Sequence, residues 1–593
     1  MSSPTRNSQL DRKKRRRFIL IAIGLLLLVF FICSSISIGG GIWFIDSVFD
    51  GDRQAEQAAT APRWAPDSAE LTIAVSPVMA PVLDELAARF NSQEAETADG
   101  HAMSVNVVTY EPVKMIEAAL DAPEFQAISP DSSLWLDRLE QEWTASIQED
   151  GDDLQIPIGQ RRIGEQIRYA VSPIVIAAWE SAARDLGWPE ESVGWQDIQR
   201  QAAEDPDFKW NHPSTNNAAG LLATLAEFYA GAGLTRGLTE AAATDQATLD
   251  YVQAVEATVR FYGEGEEVII ERLAEEGRDF LDAFVAQERV VIDWNRNQEG
   301  ERLVAIYPAE GTLWTDHPMA LLELGAQSAE LPVTENQRLT YRSFAKFLGT
   351  AESQQQLLAE GYRPADLTID LDAANSPFAT SDAVDWRQPQ TTLQMPSPAV
   401  VDVIRNVWYY TKRPTNVYLV VDSSGSMEGE KIERTREALR AFVEEIKGDQ
   451  DRVGLIDFGA GIKSFTPLRE MDEANRRDLQ NVIDNMLAYG GTALLDAVYD
   501  ATVDLKAQSR TDAINAIVVM TDGRENESRR DVSDLQNLLS GSQQAPLVIF
   551  TIGFGSDADE IILRQIAEVG TGQYRPANET DIEELYRIIS TYF

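Results

Sequence analysis

Apolar side chains fall along this chain in four different rhythms. Residues 18–45 are apolar without interruption by charge, and at ~1.5 Å rise per residue their length exceeds a ~30 Å hydrocarbon core, which predicts one transmembrane helix. Residues 46–69 mix acids, Ala, Gln and two prolines, Pro62 and Pro66, with no periodicity, and read as a linker. From Leu71 a short apolar strand to Val75, a turn at Ser76-Pro77 and an amphipathic stretch over 82–90 open a folded region. Residues 338–362 read as one continuing helix with Phe344, Phe347 and Leu348 on one face, whereas 366–395 lose periodicity and collect prolines. The last third alternates regularly. Apolar runs at 417–421, 453–458, 514–520 and 547–554 predict buried strands, and amphipathic stretches at 432–446, 472–487, 494–505, 559–569 and 581–589 predict helices between and after them. This alternation implies a mainly parallel sheet covered on both faces. Pro467 is expected in the connection before the 472 helix, and Gly425, Gly490, Gly491, Gly523, Gly553 and Gly555 at turns.

A length of 593 residues suggests two or three domains, and 44% hydrophobic residues suffice for packed cores. Cys33 is the only cysteine, so no internal disulfide forms. Basic residues crowd into Arg12 to Arg17, which by the positive-inside rule keeps residues 1–17 as a cytoplasmic tail and sends everything after the apolar run outside. A cleaved signal peptide is the alternative, because Ser37 to Gly41 offers small residues near the end of that run. The formal net charge of -44 excludes nucleic acid as a partner of the folded part.

The strand at Val417 to Val421 runs into Asp422-Ser423-Ser424-Gly425-Ser426, where one carboxylate and two hydroxyls at alternate positions can converge on one cation. Oxygen donors without His or Cys suit Mg²⁺ or Mn²⁺ rather than zinc. Thr492, after Tyr489-Gly490-Gly491, and Asp522, after Met520-Thr521, stand where later strands should end, and ligands of doubly wound sheets bind at those ends. On these three segments the C-terminal region resembles a von Willebrand factor type A domain with a metal-ion-dependent adhesion site. The resemblance implies a doubly wound, Rossmann-like fold and a metal held by Asp422, Ser424, Ser426, Thr492 and Asp522, with the two aspartates often acting through water. It further implies a protein partner that offers a carboxylate to the metal.

Residues from about 70 to 370 resemble two-lobed, periplasmic-type bacterial extracellular solute-binding proteins. The segments that carry this are Leu71 to Pro77, Ile128 to Trp135, Tyr169 to Ala177, His212 to Gly220 and Ala305 to Trp314. Ser76, Ser132 and Ser214 each lie in a turn leading towards a helix, where backbone N–H groups favour an anionic or polar ligand, and Tyr307 is a further candidate contact. Each serine could equally be a helix cap. His101, His212 and His317 show no metal spacing and read as structural.

The expected architecture is therefore α/β throughout: a basic tail (1–17), a transmembrane anchor (18–45), a linker (46–69), a solute-binding-like domain (70–370), a junction (371–412) and a type A domain (413–593). Two functions compete. One is a single-pass membrane protein that binds a partner protein through Mg²⁺ or Mn²⁺, with the solute-binding-like domain as stalk or sensor. The other is a solute-binding or sensing component of a transport system. No nucleophile-base motif suggests an enzyme.

Overall fold

The computed structural model describes residues 64–593 apart from 150–160, 264, 299, 326–330, 375, 541–545, 579–581, 591 and 593. The predicted tail and membrane span, and most of the linker, lie outside these residues; among those described, no helix is long and apolar enough to cross a membrane. From Ala69 onward the chain forms one compact unit built on three sheets.

The first sheet runs in the order Ser104–Thr109, Glu70–Val75, Ala127–Ser129, Pro318–Leu322, Ile163–Arg168. Its first three strands are parallel, and Pro318–Leu322 is antiparallel to both neighbours. The second sheet centres on Ala170–Trp179, which pairs antiparallel with Ala283–Gln287, Leu303–Ile306, Trp314–Thr315 and Arg363–Pro364. Chain crossings at Tyr169 and at Asp316-His317 join the two sheets, the arrangement expected of a two-lobed protein. The predicted single helix over 338–362 is two, Glu335–Leu348 and Ala351–Ala359. Thr350 caps the second through its hydroxyl to the Ser353 N–H at 3.4 Å, so a new helix start replaces the expected continuation.

The third sheet has the order Ile462–Glu470, Arg452–Phe458, Thr415–Asp422, Ile514–Thr521, Leu547–Phe554, Tyr574–Ala577. All its pairs are parallel except that between Arg452–Phe458 and Ile462–Glu470. The two central strands, Thr415–Asp422 and Ile514–Thr521, are buried along their whole length, which is why they read as unbroken apolar runs. The outer strands Ile462–Glu470 and Tyr574–Ala577 escaped the sequence reading, since their exposed, polar-rich residues form no apolar run. Pro467 therefore sits within a strand and not in a connection. Ile462–Glu470 is at the sheet edge and the pairing slips between Val453 and Leu455, so the missing N–H costs no ladder bond. Pro576 occupies the opposite edge strand. Gly553 likewise lies in a strand, where a Cβ would approach the Tyr574 hydroxyl to 2.7 Å.

The expected junction is irregular up to Met395 but packed. Phe378, Val384 and Leu393 are buried, and the Ala305 N–H donates to the Ala383 carbonyl at 2.8 Å. The helix Pro398–Thr411 then buries Val400, Val401, Ile404 and Trp408 against the solute-binding side, mainly on the helices Ala218–Ala232, Glu240–Ala243 and Gln246–Glu256. Arg413 fastens the two folds together: its backbone N–H donates to the Tyr262 hydroxyl (2.9 Å), and its guanidinium to the Val259 carbonyl (2.7 Å) and the Thr511 carbonyl (2.9 Å). Near the C-terminus, the Tyr592 ring lies 5.7 Å from Phe261 and 5.0 Å from Phe550.

Candidate functional site

The five predicted donors meet at the carboxyl ends of the two central strands of the third sheet. Asp422 closes one strand; its Oδ1 accepts the Ser424 N–H at 2.7 Å and its Oδ2 accepts the Thr521 hydroxyl. Ser424 Oγ lies 2.9 Å from Ser426 Oγ, which donates to Asp522 Oδ1 at 2.6 Å. Thr492 completes the ring from the loop before the helix Leu494–Gln508. A Cβ on Gly523 would stand 2.9 Å from Thr492 Oγ1 and 3.6 Å from both Asp422 Oδ2 and Ser426 Oγ. The missing side chain thus leaves a cradle in which these oxygens face a common space. Asp422, Ser424, Thr492 and Asp522 are buried, while Ser426 is exposed and marks the mouth. Two carboxylates with three hydroxyls and no nitrogen or sulfur are a donor set that fits a hard divalent cation. Burial raises the Asp422 carboxyl to about 6, although the Thr521 and Ser424 hydrogen bonds oppose the rise.

Neighbouring side chains hold this arrangement. Lys431, in the first turn of the helix Glu430–Glu445, places its ammonium on Asp522 Oδ2. Lys463 donates to the Ser423 carbonyl (2.6 Å), the Ser423 hydroxyl (2.8 Å) and the Leu487 carbonyl (2.9 Å), tying the first turn to the 487–489 loop. Its Nζ also lies 3.7 Å from the centre of the Tyr489 ring. Asn526 pins the Thr492 loop by accepting the Thr492 N–H at 3.0 Å, and its own N–H donates to the Thr492 carbonyl at 3.1 Å. The sequence reading missed all of these except by adjacency: Thr521 directly precedes Asp522, and Lys431 is a rare lysine at a helix start. Leu487 and Tyr489, 63% and 59% exposed, form an apolar rim beside the mouth.

The four solute-site candidates do not form a comparable group, and among the described residues no hydrogen bond joins any two of them. Ser76 is fully buried and its hydroxyl has no hydrogen-bond partner. Ser132 is a helix cap, its Oγ accepting the Leu134 N–H at 3.3 Å. Ser214 is not the cap of the helix that follows, a role taken by Asn217; it lines a small crevice with Trp408, Lys412 and Asp451. Tyr307 donates to Glu288, which forms a buried ion pair with Arg363 at 2.6 Å.

A denser polar set lies near the chain crossings between the two lobes. Glu266 accepts the Gln287 backbone N–H and, at 3.2 Å, its side-chain amide; Gln287 Oε1 accepts the Thr315 hydroxyl and faces His317 Nε2, both at 2.9 Å. Arg289 stacks 5.1 Å from the Tyr362 ring centre and keeps a buried Nε without a partner. Burial, reinforced by Glu267, raises Glu266 to about 8, and burial alone outweighs the Trp135 hydrogen bond in raising Asp131 to about 7. These residues lack any compact motif, so no spacing along the chain marks them.

Comparison with known proteins follows the same division. Residues 416–590 match the von Willebrand factor type A domain, and residues 71–363 match the bacterial extracellular solute-binding protein family. Human inter-alpha-trypsin inhibitor heavy chain H4 is 28% identical over 175 residues, covering 28% of this chain and 19% of that protein. The chain thus spans less than a fifth of that relative's length. Among solved structures, a von Willebrand factor type A protein from Catenulispora acidiphila has a TM-score of 0.28 at 20% identity, covering 30% of this chain and 42% of that one. The sulfate-binding protein SubI from Mycobacterium tuberculosis H37Rv has a TM-score of 0.36 at 15% identity, covering 52% and 90%. The chain is therefore similar to bacterial extracellular solute-binding proteins over residues 71–363 and to von Willebrand factor type A domains over 416–590.

Proposed function

We propose that this is a membrane-anchored, extracytoplasmic binding protein that engages a protein partner through a divalent cation, with the solute-binding domain as stalk or sensor. The observation that carries the reading is the convergence of Asp422, Ser424, Ser426, Thr492 and Asp522 around the space that Gly523 leaves open. These residues would hold Mg²⁺ or Mn²⁺, which supplies an open coordination position for an incoming carboxylate. With both aspartates bound through water, the protein itself leaves at least one position to solvent. The exposed rim of Leu487 and Tyr489 would add apolar contact around that bond. The proposed role is binding rather than catalysis.

Thermal unfolding with increasing Mg²⁺ or Mn²⁺ tests the site. A ligand that binds only the native state stabilises by ~2.7 kcal/mol at a hundredfold excess over Kd, so melting should rise with the logarithm of metal concentration. Asp422→Ala should abolish the rise; an unchanged response would refute the assignment. The anchor is tested separately by adding protease to intact cells, where cleavage near residues 54–63 should release the folded part. Protection of the whole chain until lysis would overturn the orientation.

A second reading, solute sensing, draws on Arg289. Its partnerless buried Nε beside Tyr362 and Glu266 suits a solute with an anionic group, and a thermal-shift screen of small anions against wild type and Arg289→Ala would test it.

A further inference from the structure

Away from both sites, three fully buried ionisable side chains face one another where the turn after Trp210–Asn211 meets the helices Ala218–Ala232 and Gln246–Glu256. His212, Glu227 and Glu256 are each 0% exposed, and one donor atom from each lies within 4.8 Å of the other two. His212 Nε2 and Glu256 Oε2 are 3.2 Å apart. Each has its supports. His212 Nδ1 is 2.7 Å from the Pro213 carbonyl, which can only accept, so Nδ1 carries a proton. Glu256 accepts the Tyr262 hydroxyl at 2.7 Å on Oε2 and the Trp408 indole N–H at 2.6 Å on Oε1. Glu227 differs. Among the described residues neither of its carboxylate oxygens has a hydrogen-bond partner, although both are buried.

Protons alone satisfy this group poorly. A doubly protonated His212 could pair with Glu256, but Glu227 would then be a neutral acid with no acceptor for its proton among the described residues, and a buried hydrogen bond left unmade is costly. Ionised, it would be a second unpaired carboxylate in the interior, which is costlier still. A divalent cation removes both difficulties, because two carboxylates balance its charge and the neutral imidazole supplies a lone pair on Nε2. Metal-ligand bonds of ~2.0–2.2 Å place neighbouring donor atoms roughly 3.3 Å apart in a tetrahedron, close to the observed Nε2 to Oε2 separation. Both oxygens of Glu227 are free, so bidentate binding would complete four donors without water. The Pro213 carbonyl on His212, and the Tyr262 and Trp408 donors on Glu256, are the outer contacts that orient metal ligands elsewhere.

We infer that His212, Glu227 and Glu256 form a buried structural site for a first-row divalent transition ion, of which Zn²⁺ is the representative. The imidazole ligand separates it from Mg²⁺ and Ca²⁺, which prefer all-oxygen shells. Through Trp408 the site also reaches the helix Pro398–Thr411, so the ion would clamp the solute-binding domain to the segment that leads into the type A domain.

The test uses the chain carrying Asp422→Ala, which silences the other metal site, refolded with Zn²⁺ and dialysed before elemental analysis. Close to one zinc per chain is expected, and its loss in the additional variant Glu227→Gln, whose folding is checked by circular dichroism. Less than about a tenth of an equivalent in the Asp422→Ala protein, or full retention in a folded Glu227→Gln protein, would overturn the inference. Should Glu227→Gln fail to fold, X-ray absorption of the zinc-loaded Asp422→Ala protein decides: an imidazole in a shell of oxygen and nitrogen supports the site, and a shell without imidazole rejects it.

Discussion

Lys431 and the proposed cation contend for the same carboxylate. At an effective dielectric near 20, unit charges ~4 Å apart interact by ~4 kcal/mol, but this lysine is 23% exposed and can swing into solvent, which leaves roughly 1–2 kcal/mol. Lys431→Met should therefore tighten Mg²⁺ binding by about tenfold in calorimetric titration. Weaker binding would show instead that the ammonium orders Asp522 for the metal. Glu266 gives a pH signature on the other domain. Its carboxyl is raised to about 8 in the fold by burial, so the native state holds a proton that the unfolded chain releases above its ordinary value near 4.5. Native protons then outnumber unfolded ones between those limits, and stability should fall as pH rises from about 5 to 8. Replacing Glu266 by Gln, which keeps an acceptor for the Gln287 N–H, should flatten that slope in melting curves; an unaltered slope would assign it to another group, such as Asp131.

Loops set the geometry of the proposed metal site, and elements set the loops. Thr492 hangs between the strand ends and the helix Leu494–Gln508, held by Asn526, while Glu525 accepts the Leu495 N–H at 3.0 Å. Contacts behind a ligand commonly govern ten- to a hundredfold in affinity. Asn526→Ala should accordingly weaken Mg²⁺ binding by about tenfold with every ligand intact, and equal affinity would mean that the strand ends alone fix Thr492. The sequence disclosed the proposed ligands but not their supports for a physical reason. A ligand motif is local, one turn after one apolar strand, whereas Lys463, Asn526 and Thr521 act through hydrogen bonds across the fold. The same distinction governs the elements. Thr415–Asp422 and Ile514–Thr521 announce themselves because burial on both faces demands unbroken apolar residues. Ile462–Glu470 reads as a polar connection because only Leu468 along it is buried, and the helix break at Gly349-Thr350 hides inside a continuous amphipathic stretch. In the solute-binding domain, the serines were readable as helix-leading turns, but Glu266 meets Gln287 and Arg289 only when the helix Glu266–Glu276 packs beside the end of the strand Ala283–Gln287.

At the largest scale the two folds share one body. Arg413 bridges Val259 and Thr511, and Tyr592 lies between Phe261 of one domain and Phe550 of the other. Truncating a well-packed aromatic costs ~3–5 kcal/mol, and here the loss falls on the interface. Tyr592→Ala should split a single calorimetric unfolding transition into two; one undivided transition would show that Arg413 and Trp408 suffice to couple the domains. Coupling of this kind would let solute occupancy alter the metal face.

The prolines at both margins of the third sheet have a consequence for how closely copies can gather. A sheet with open edges is a template for strands from neighbouring molecules, and the proposed membrane anchor would bring copies together at high local concentration. Pro467 and Pro576 each remove a donor from an outermost strand, so zipper-like growth from either side is interrupted. The molecule can stand crowded among its own kind and still present its proposed metal face to something else.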